Sequence, residues 1–281
     1  MKVDICCIAR NENLTIDDWV TYHINQGIHK IWIIDNNDEG DLSLNIILKD
    51  KIKNGKVEII STFKGAKSFQ IKAYNWFLSY YNNQDIYDYV GFLDCDEYLT
   101  INTDKYNDVG KFFEIVEREC PNIGTLSINW ECYGDNEQYY YEYQPVVERF
   151  PIPLDYNFSS CWNLIKENYH IKSFVKSKVE AHFGWNSHNC IIVNQEIAYN
   201  SDFKPILGHS PWVPNVTYNN AKIRHYCTKS LEEYLYRKYG TICADNQFNK
   251  PYTMEYYWKR NKKTKEAIKA FNDIITHYHF G

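Results

Sequence analysis

Gly91-Phe92-Leu93-Asp94-Cys95-Asp96-Glu97-Tyr98-Leu99 is the stretch on which the reading of this chain turns. The apolar run Tyr89 to Leu93 reads as a buried strand, and it ends in Asp-x-Asp. If extended geometry persists through the motif, Asp94 and Asp96 project to the same side. Two carboxylates at a strand end make a hard-oxygen site suited to Mg2+ or Mn2+. A cation held this way keeps several waters, binds diphosphate oxygens and neutralises charge on a departing nucleoside diphosphate. A solvated acidic turn would carry the same letters, so the motif's position has to decide.

Working outward, that position is informative. Val3 to Ala9 reads as a strand, Thr15 to Gln26 as a helix with Ile16, Trp19, Val20 and His23 on one face, and Gly27 as its stop. His29 to Asp35 is a second strand, Leu42 to Lys53 a helix, Val57 to Ser61 a third strand and Gln70 to Tyr81 a helix. The Asp-x-Asp therefore follows the fourth strand of an alternating β-α series, which predicts an α/β, Rossmann-like, mostly parallel sheet flanked by helices. Such sheets bind nucleotides at the carboxyl ends of their strands. A phosphatase of the haloacid-dehalogenase type also uses Asp-x-Asp, but after its first strand and with Thr or Val where Tyr98 stands here.

Beyond Thr100 the spacing predicts a helix over Asp108 to Arg118, strands over Gly124 to Trp130, Ile171 to Val179 and Cys190 to Val193, and irregular chain over 133–160 and 201–222. From Ser230 the pattern is helical and increasingly basic, a C-terminal helical extension.

Composition narrows the class. Hydrophobic residues are 44% of the 281, enough for a large core, and the net charge of −5 disfavours a non-specific nucleic-acid binder. Aromatic residues reach 17%, so some rings are available for stacking on sugar faces. Cys6, Cys7, Cys95, Cys120, Cys132, Cys161, Cys190, Cys227 and Cys243 form no Cys-x-x-Cys pair, which argues against a zinc ribbon and for reduced thiols. No apolar run has the length of a membrane span, and the N-terminus leads straight into a strand, so the expectation is a cytoplasmic protein.

Several segments in order resemble the family 2-like and family 92-like glycosyltransferases of GT-A fold. They are Cys7-Ile8-Ala9-Arg10-Asn11-Glu12-Asn13, Asp18-Trp19-Val20-x-Tyr22-His23, Ile33-Ile34-Asp35-Asn36-Asn37-Asp38 and Phe92 to Leu99. Asn129-Trp130-x-x-Tyr133-Gly134, Val147-Glu148-Arg149-Phe150 and His225-Tyr226-x-Thr228-Lys229-Ser230 continue the likeness to about residue 240. The resemblance implies a nucleotide-sugar donor, commonly a UDP-sugar, and an inverting transfer to a carbohydrate. It divides the chain into a donor-binding half (1–105), an acceptor-side half of the same domain (106–228) and a helical extension (229–281).

By the same resemblance, Ala9, Arg10, Asn11, Glu12, Asp35 and Asn36 hold the base and ribose. Lys67, Gln70, Asp94 and Cys95 face the nucleotide, and His225 joins Asp94 and Asp96 at the Mn2+ or Mg2+. An inverting transfer needs a carboxylate to take the acceptor's proton. Glu131, Asp135, Glu137 and Glu148 are the candidates, with Asp135, which follows the Trp130-to-Gly134 segment, and Glu131, which lies within it, foremost. Two departures from the family pattern stand out: Asp135 where a small polar residue is usual, and Tyr133 for Phe.

Trp185, between His182 and His188, is a further ring for a sugar, and Lys172 reads as a strand lysine at the surface or on a phosphate. The basic run Lys259-Arg260-Asn261-Lys262-Lys263-Thr264-Lys265 suggests peripheral contact of a C-terminal helix with anionic lipid, suiting a lipid-linked glycan acceptor of a bacterial surface polysaccharide or lipopolysaccharide. Two other classes remain. A sugar-phosphate nucleotidyltransferase would need a Gly-rich loop where Ala9 to Glu12 has none. A non-catalytic carbohydrate-binding protein would have no use for the metal motif.

Overall fold

The computed structural model describes residues 1–38, 40–67, 69–154, 166–208, 210–241 and 251–278. Cys161 and Cys243 lie outside the described residues. The chain groups into two compact units that interleave in sequence, Met1–Trp130 with Asn168–Arg224, and Glu131–Glu167 with His225–Gly281.

The first unit is built on β1 (Val3–Ala9), β2 (Lys30–Asp35), β3 (Val57–Ile60) and β4 (Tyr89–Phe92), which lie in the order β3-β2-β1-β4 and pair in parallel. These runs are apolar on both faces because helices cover the sheet, the condition under which parallel strands are found. Helix α1 (Ile16–Asn25) buries Ile16, Trp19, Val20 and His23, the expected face. Gly27 ends it at φ 94°, a backbone region open to glycine. The expected helix over Leu42 to Lys53 is broken into α2 (Leu44–Ile47) and α3 (Lys49–Lys53), with Leu48 as the joint. Helix α4 (Gln70–Tyr81) lays Ala73, Tyr74, Phe77 and Leu78 on the sheet against Cys6, Trp32, Val90 and Phe92.

Past β4 the sheet becomes mixed. β5 (Glu97–Ile101) follows at once, then helix α5 (Val109–Glu119), capped by Asp108, whose carboxylate accepts from Lys111 N–H at 2.8 Å. β6 (Ile123–Tyr133) and β7 (Ile171–Lys176) are antiparallel to one another, and β7 runs antiparallel beside β4. β8 (Ala181–Phe183) and β9 (Cys190–Ile192) form a separate hairpin, β10 (Ile197–Asn200) pairs in parallel with β6, and β11 (Ala221–Tyr226) lies between β6 and β5. The α/β class is as expected. β5, β8, β10 and β11 are additions to the sequence reading, and the wholly parallel half is confined to β1–β4.

The second unit holds the helices Leu231–Arg237, Met254–Trp258 and Lys265–Tyr278, packed through Leu231, Tyr234, Leu235, Tyr257, Ala270 and Ile274. Ser230 and Glu233 form a reciprocal capping box at the first of them. Most of the basic run lies in the turn between the last two helices, and three of its cations are engaged in ion pairs. Lys259 pairs with Glu255, Arg260 with Glu167, and Lys262 with Glu137. Among the described residues no helix is long and apolar enough to cross a membrane.

Candidate functional site

The parallel strands place four connections at one edge of the sheet. The chain leaves β1 at Ala9, β2 at Asp35, β3 at Ile60 and β4 at Phe92. The connection from β1 runs to β2 on one side, while β4 on the other side is reached from β3, so the strand order reverses beside β1, and open α/β sheets bind ligands at the carboxyl ends of the strands at such a point.

At the β1 end, Asn11 takes a left-handed backbone, φ 56°, and its N–H donates to Asn37 Oδ1 at 2.9 Å. Arg10 reaches Asp38 Oδ2 at 2.8 Å, while Glu12 is buried and accepts from Thr15 at 3.3 Å. At the β2 end, Asp35 and Asn36 are buried: Asp35 Oδ1 accepts from Asn37 N–H at 3.0 Å, and Asn36 N–H donates to Ala9 O at 2.9 Å. Asn36 Nδ2 also donates to Phe63 O at 2.8 Å and Ala66 O at 3.0 Å, fixing the loop after β3. Thus the structure brings together Ala9, Arg10, Asn11, Glu12, Asp35 and Asn36. Lys67 is exposed on that loop.

At the β4 end the extended geometry expected across Asp94 and Asp96 does not persist. Glu97 N–H donates to Asp94 O at 3.0 Å, so Asp94 to Glu97 is a tight turn. Glu97 also folds its own carboxylate back, Oε2 accepting from Asp94 N–H at 2.8 Å. Helix α1 anchors this clamp from outside: Trp19 Nε1 donates to Glu97 O at 2.7 Å, and Tyr98 OH to Asp18 at 3.0 Å. Asp94 Oδ1 accepts from Gln70, the first residue of α4, at 3.0 Å. Asp96 is buried, and Cys95 Sγ lies 3.4 Å from Ile8 O.

Lys172, on β7, is the residue that sequence reasoning misplaced. It is fully buried, with Nζ 2.9 Å from Asp94 Oδ2 and 3.2 Å from Glu97 Oε2. A desolvated ammonium is tolerable only where carboxylates meet it, and here two do. Lys172 pairs with Asp94 and Glu97, and the side chain of Asp94 keeps 37% exposure. A hard-oxygen donor that keeps exposure suits Mg2+ or Mn2+, which bind through one or two carboxylates plus substrate phosphates. In their chemistry the carboxylates of Asp94 and Asp96 fit the expected donor cation.

A group of rings lies beyond the same strand. Trp185 and Trp212, 55% and 45% exposed, have centroids 5.8 Å apart, and Trp212 Nε1 donates to His170 Nε2 at 2.8 Å. His170 stacks on Trp130 with centroids 4.8 Å apart, and His188 packs 5.0 Å from both. His170 and Lys172 are two apart in extended chain, so they project to the same side.

In the second unit, Asp135 is buried and enclosed. Oδ2 accepts from Tyr257 OH at 2.6 Å, Oδ1 from Glu137 N–H at 2.9 Å, and its own N–H donates to Asn261 at 2.7 Å. Burial pushes its carboxyl up, opposed by those hydrogen bonds. Glu131 is half-buried and accepts from Tyr133 OH. Glu148 is exposed, and its neighbour Arg149 pairs instead with Glu233 through two bonds of 2.7 and 2.8 Å, both side chains buried. Burial would raise Glu233, but Arg149, Lys229 and Ser230 hold it below the usual carboxylate range. His225, at the end of β11, has Cys227 and Cys132 as neighbours, all three buried.

No protein-family model matches the chain, and no curated protein matches it in sequence. Among solved structures it is similar to residues 1–349 of TarS from S. aureus, at 16% identity and a TM-score of 0.33, over 63% of this chain and 47% of that one. It is also similar to the mannosyltransferase PcManGT from Pyrobaculum calidifontis, solved with GDP-Man and Mn2+, at 10% identity and a TM-score of 0.31, over 45% and 35%. A third is mannosyl-3-phosphoglycerate synthase from Rubrobacter xylanophilus, at 9% identity and a TM-score of 0.30, over 63% and 53%. Each likeness spans about half or less of the solved chain, and each is too loose to decide more than the strand pairings above already do.

Proposed function

We propose that this chain is a metal-dependent glycosyltransferase of GT-A type that moves a sugar from a nucleotide-sugar, a UDP-sugar being favoured, to a carbohydrate acceptor. One observation carries the reading: the Asp94–Glu97 turn closes on itself beyond β4, at the same edge of the sheet as the Ala9–Glu12 loop beyond the neighbouring β1.

Base and ribose lie against Ala9 to Glu12 and the buried pair Asp35 and Asn36, with Lys67 on the neighbouring loop. Asp94 and Asp96 hold Mn2+ or Mg2+, which when bound neutralises charge on the departing diphosphate. Gln70 and Lys172 fix the carboxylate of Asp94, so the site is oriented before the donor arrives. The division into donor half, acceptor half and helical extension belongs to this same reading. So do inversion and a surface-polysaccharide or lipid-linked acceptor.

Trp185 and Trp212 offer exposed ring faces to a sugar. Asp135 and Glu131 are the carboxylates proposed as base; Tyr257 and Glu137 hydrogen-bond the two oxygens of Asp135, and Tyr133 hydrogen-bonds Glu131.

The test is donor turnover. The full chain with Mn2+ is incubated with UDP-, GDP- and CDP-sugars, and released nucleoside diphosphate is quantified with and without candidate glycans. Slow release from one donor, accelerated by an acceptor and lost in Asp94→Asn, is expected. A folded protein that binds glycans through Trp185 but releases nothing from any donor is a carbohydrate-binding protein instead.

A further inference from the structure

The second unit gathers a group of metal-ligating side chains, of which His225 alone is expected at the donor site. Cys132 lies on the last turnless stretch of β6, His225 near the end of β11, and Cys227 just beyond it. The two sulfurs and an imidazole nitrogen lie within 4.8 Å of one another, and this is the group of three such ligands that the described residues assemble. Cys227 Sγ and His225 Nδ1 are 3.6 Å apart. In a tetrahedral zinc site, Zn–S of about 2.3 Å and Zn–N of about 2.0 Å put sulfur and nitrogen about 3.5 Å apart. The separation observed is therefore an edge of that tetrahedron before any movement.

The chemistry of the donors differs from that at Asp94 and Asp96. Thiolate and imidazole select soft or borderline cations, whereas carboxylates select Mg2+ and Mn2+. Both cysteines and His225 are buried, and they supply three corners of the tetrahedron, which one water or the neighbouring carboxylate of Glu167 would complete. Two thiolates with a neutral imidazole cancel the charge of a dication, which keeps the buried site neutral overall. Glu167 and Arg260 border the cluster and are engaged with each other.

We propose that Cys132, His225 and Cys227 bind one Zn2+, clasping the end of β6 to the segment after β11. On binding, two S–H protons leave to solvent and two Zn–S bonds form, so affinity rises with pH and the bound ion stabilises the fold. On this proposal His225, expected from the resemblance beside Asp94 and Asp96, is a ligand of the zinc. The proposal stands independently of the transferase reading, since it makes no use of donor or acceptor.

The test uses the full chain, reduced, stripped with chelator and freed of it. Zinc is quantified after re-addition, and Co2+ is titrated while the near-ultraviolet is watched for sulfur-to-cobalt charge transfer, which carboxylate ligands do not give. About one equivalent of zinc and a charge-transfer band are expected in wild type and in Asp96→Asn, and neither in Cys132→Ser/Cys227→Ser. If the double variant does not fold, zinc-edge X-ray absorption on wild type decides, with two sulfur ligands at about 2.3 Å expected. Folded wild type that retains no zinc and shows no band overturns the proposal. So does a band that survives in the double variant, or a zinc shell without sulfur.

Discussion

The ammonium of Lys172 lies 2.9 Å from Asp94 Oδ2, joining a fully buried cation on β7 to the one acidic residue of the turn that keeps substantial exposure. Glu97, itself buried, shares that ammonium at 3.2 Å and also holds Asp94 N–H. The turn is thus fixed from below by charge and from behind by its own glutamate. Substituting Lys172→Met withdraws the cation from two carboxylates at once. Breaking a buried pair on one side costs about 3–5 kcal/mol. Urea denaturation at neutral pH is expected to show a loss of about 3 kcal/mol. A loss within experimental error would mean the pair is replaced by water at no cost.

His23 gives the fold a pH dependence with a definite sign. It is fully buried, Leu99 N–H donates to its Nε2 at 3.1 Å, and its Nδ1 is 2.9 Å from Trp19 O. The ring must therefore be neutral with its proton on Nδ1, because a second proton on Nε2 would face another N–H. Burial drops its pKa from 6.5 to about 3, only partly opposed by the bond to Trp19. The unfolded chain takes up this proton below pH 6.5 and the folded chain does not, so stability is complete above 6.5 and falls as pH drops toward 3. The loss approaches about 1.4 kcal/mol per pH unit within that window. Stability measured at pH 7, 6 and 5 should fall more steeply in wild type than in His23→Gln. Equal slopes would contradict the buried neutral ring.

Gly91 is required by its neighbour and not by its backbone angle. A Cβ there would stand 2.2 Å from the ring of Phe174, its partner across the β4–β7 pair. Gly91→Ala should cost about 1–3 kcal/mol by overpacking, seen as a lower melting temperature. Adding Phe174→Leu should restore part of it. If Gly91→Ala melts with wild type, the packing of β7 on β4 is looser than described.

What the sequence disclosed and what it hid follow from the range of each interaction. β1 to β4 and α4 are legible because burial on both sheet faces, or on one helix face, writes continuous or periodic apolar letters into adjacent residues. β11 escapes because Lys222 and Arg224 alternate with its apolar residues in a chain segment rich in loop signals. The Asp94 and Asp96 pair is legible as chemistry, but its geometry is not. The turn depends on Glu97 reaching back to Asp94 N–H, and nothing local distinguishes that from a continuing strand. Lys172 reads as a surface lysine because the two carboxylates that bury it lie far away in the chain. Cys132 and Cys227 meet for the same reason without any Cys-x-x-Cys signal.

Nucleotide binding by calorimetry, with Asp96→Asn beside wild type, tests the central claim most directly. UDP, GDP, CDP and ADP are each titrated with Mn2+, and the variant serves in place of chelator, since chelator would also strip a cation held by Cys132 and Cys227. Binding of one nucleotide that requires Mn2+ and is lost in Asp96→Asn is the result expected. Failure of all four to bind folded wild type, or binding that Asp96→Asn leaves intact, would contradict a donor site at the Asp94–Glu97 turn.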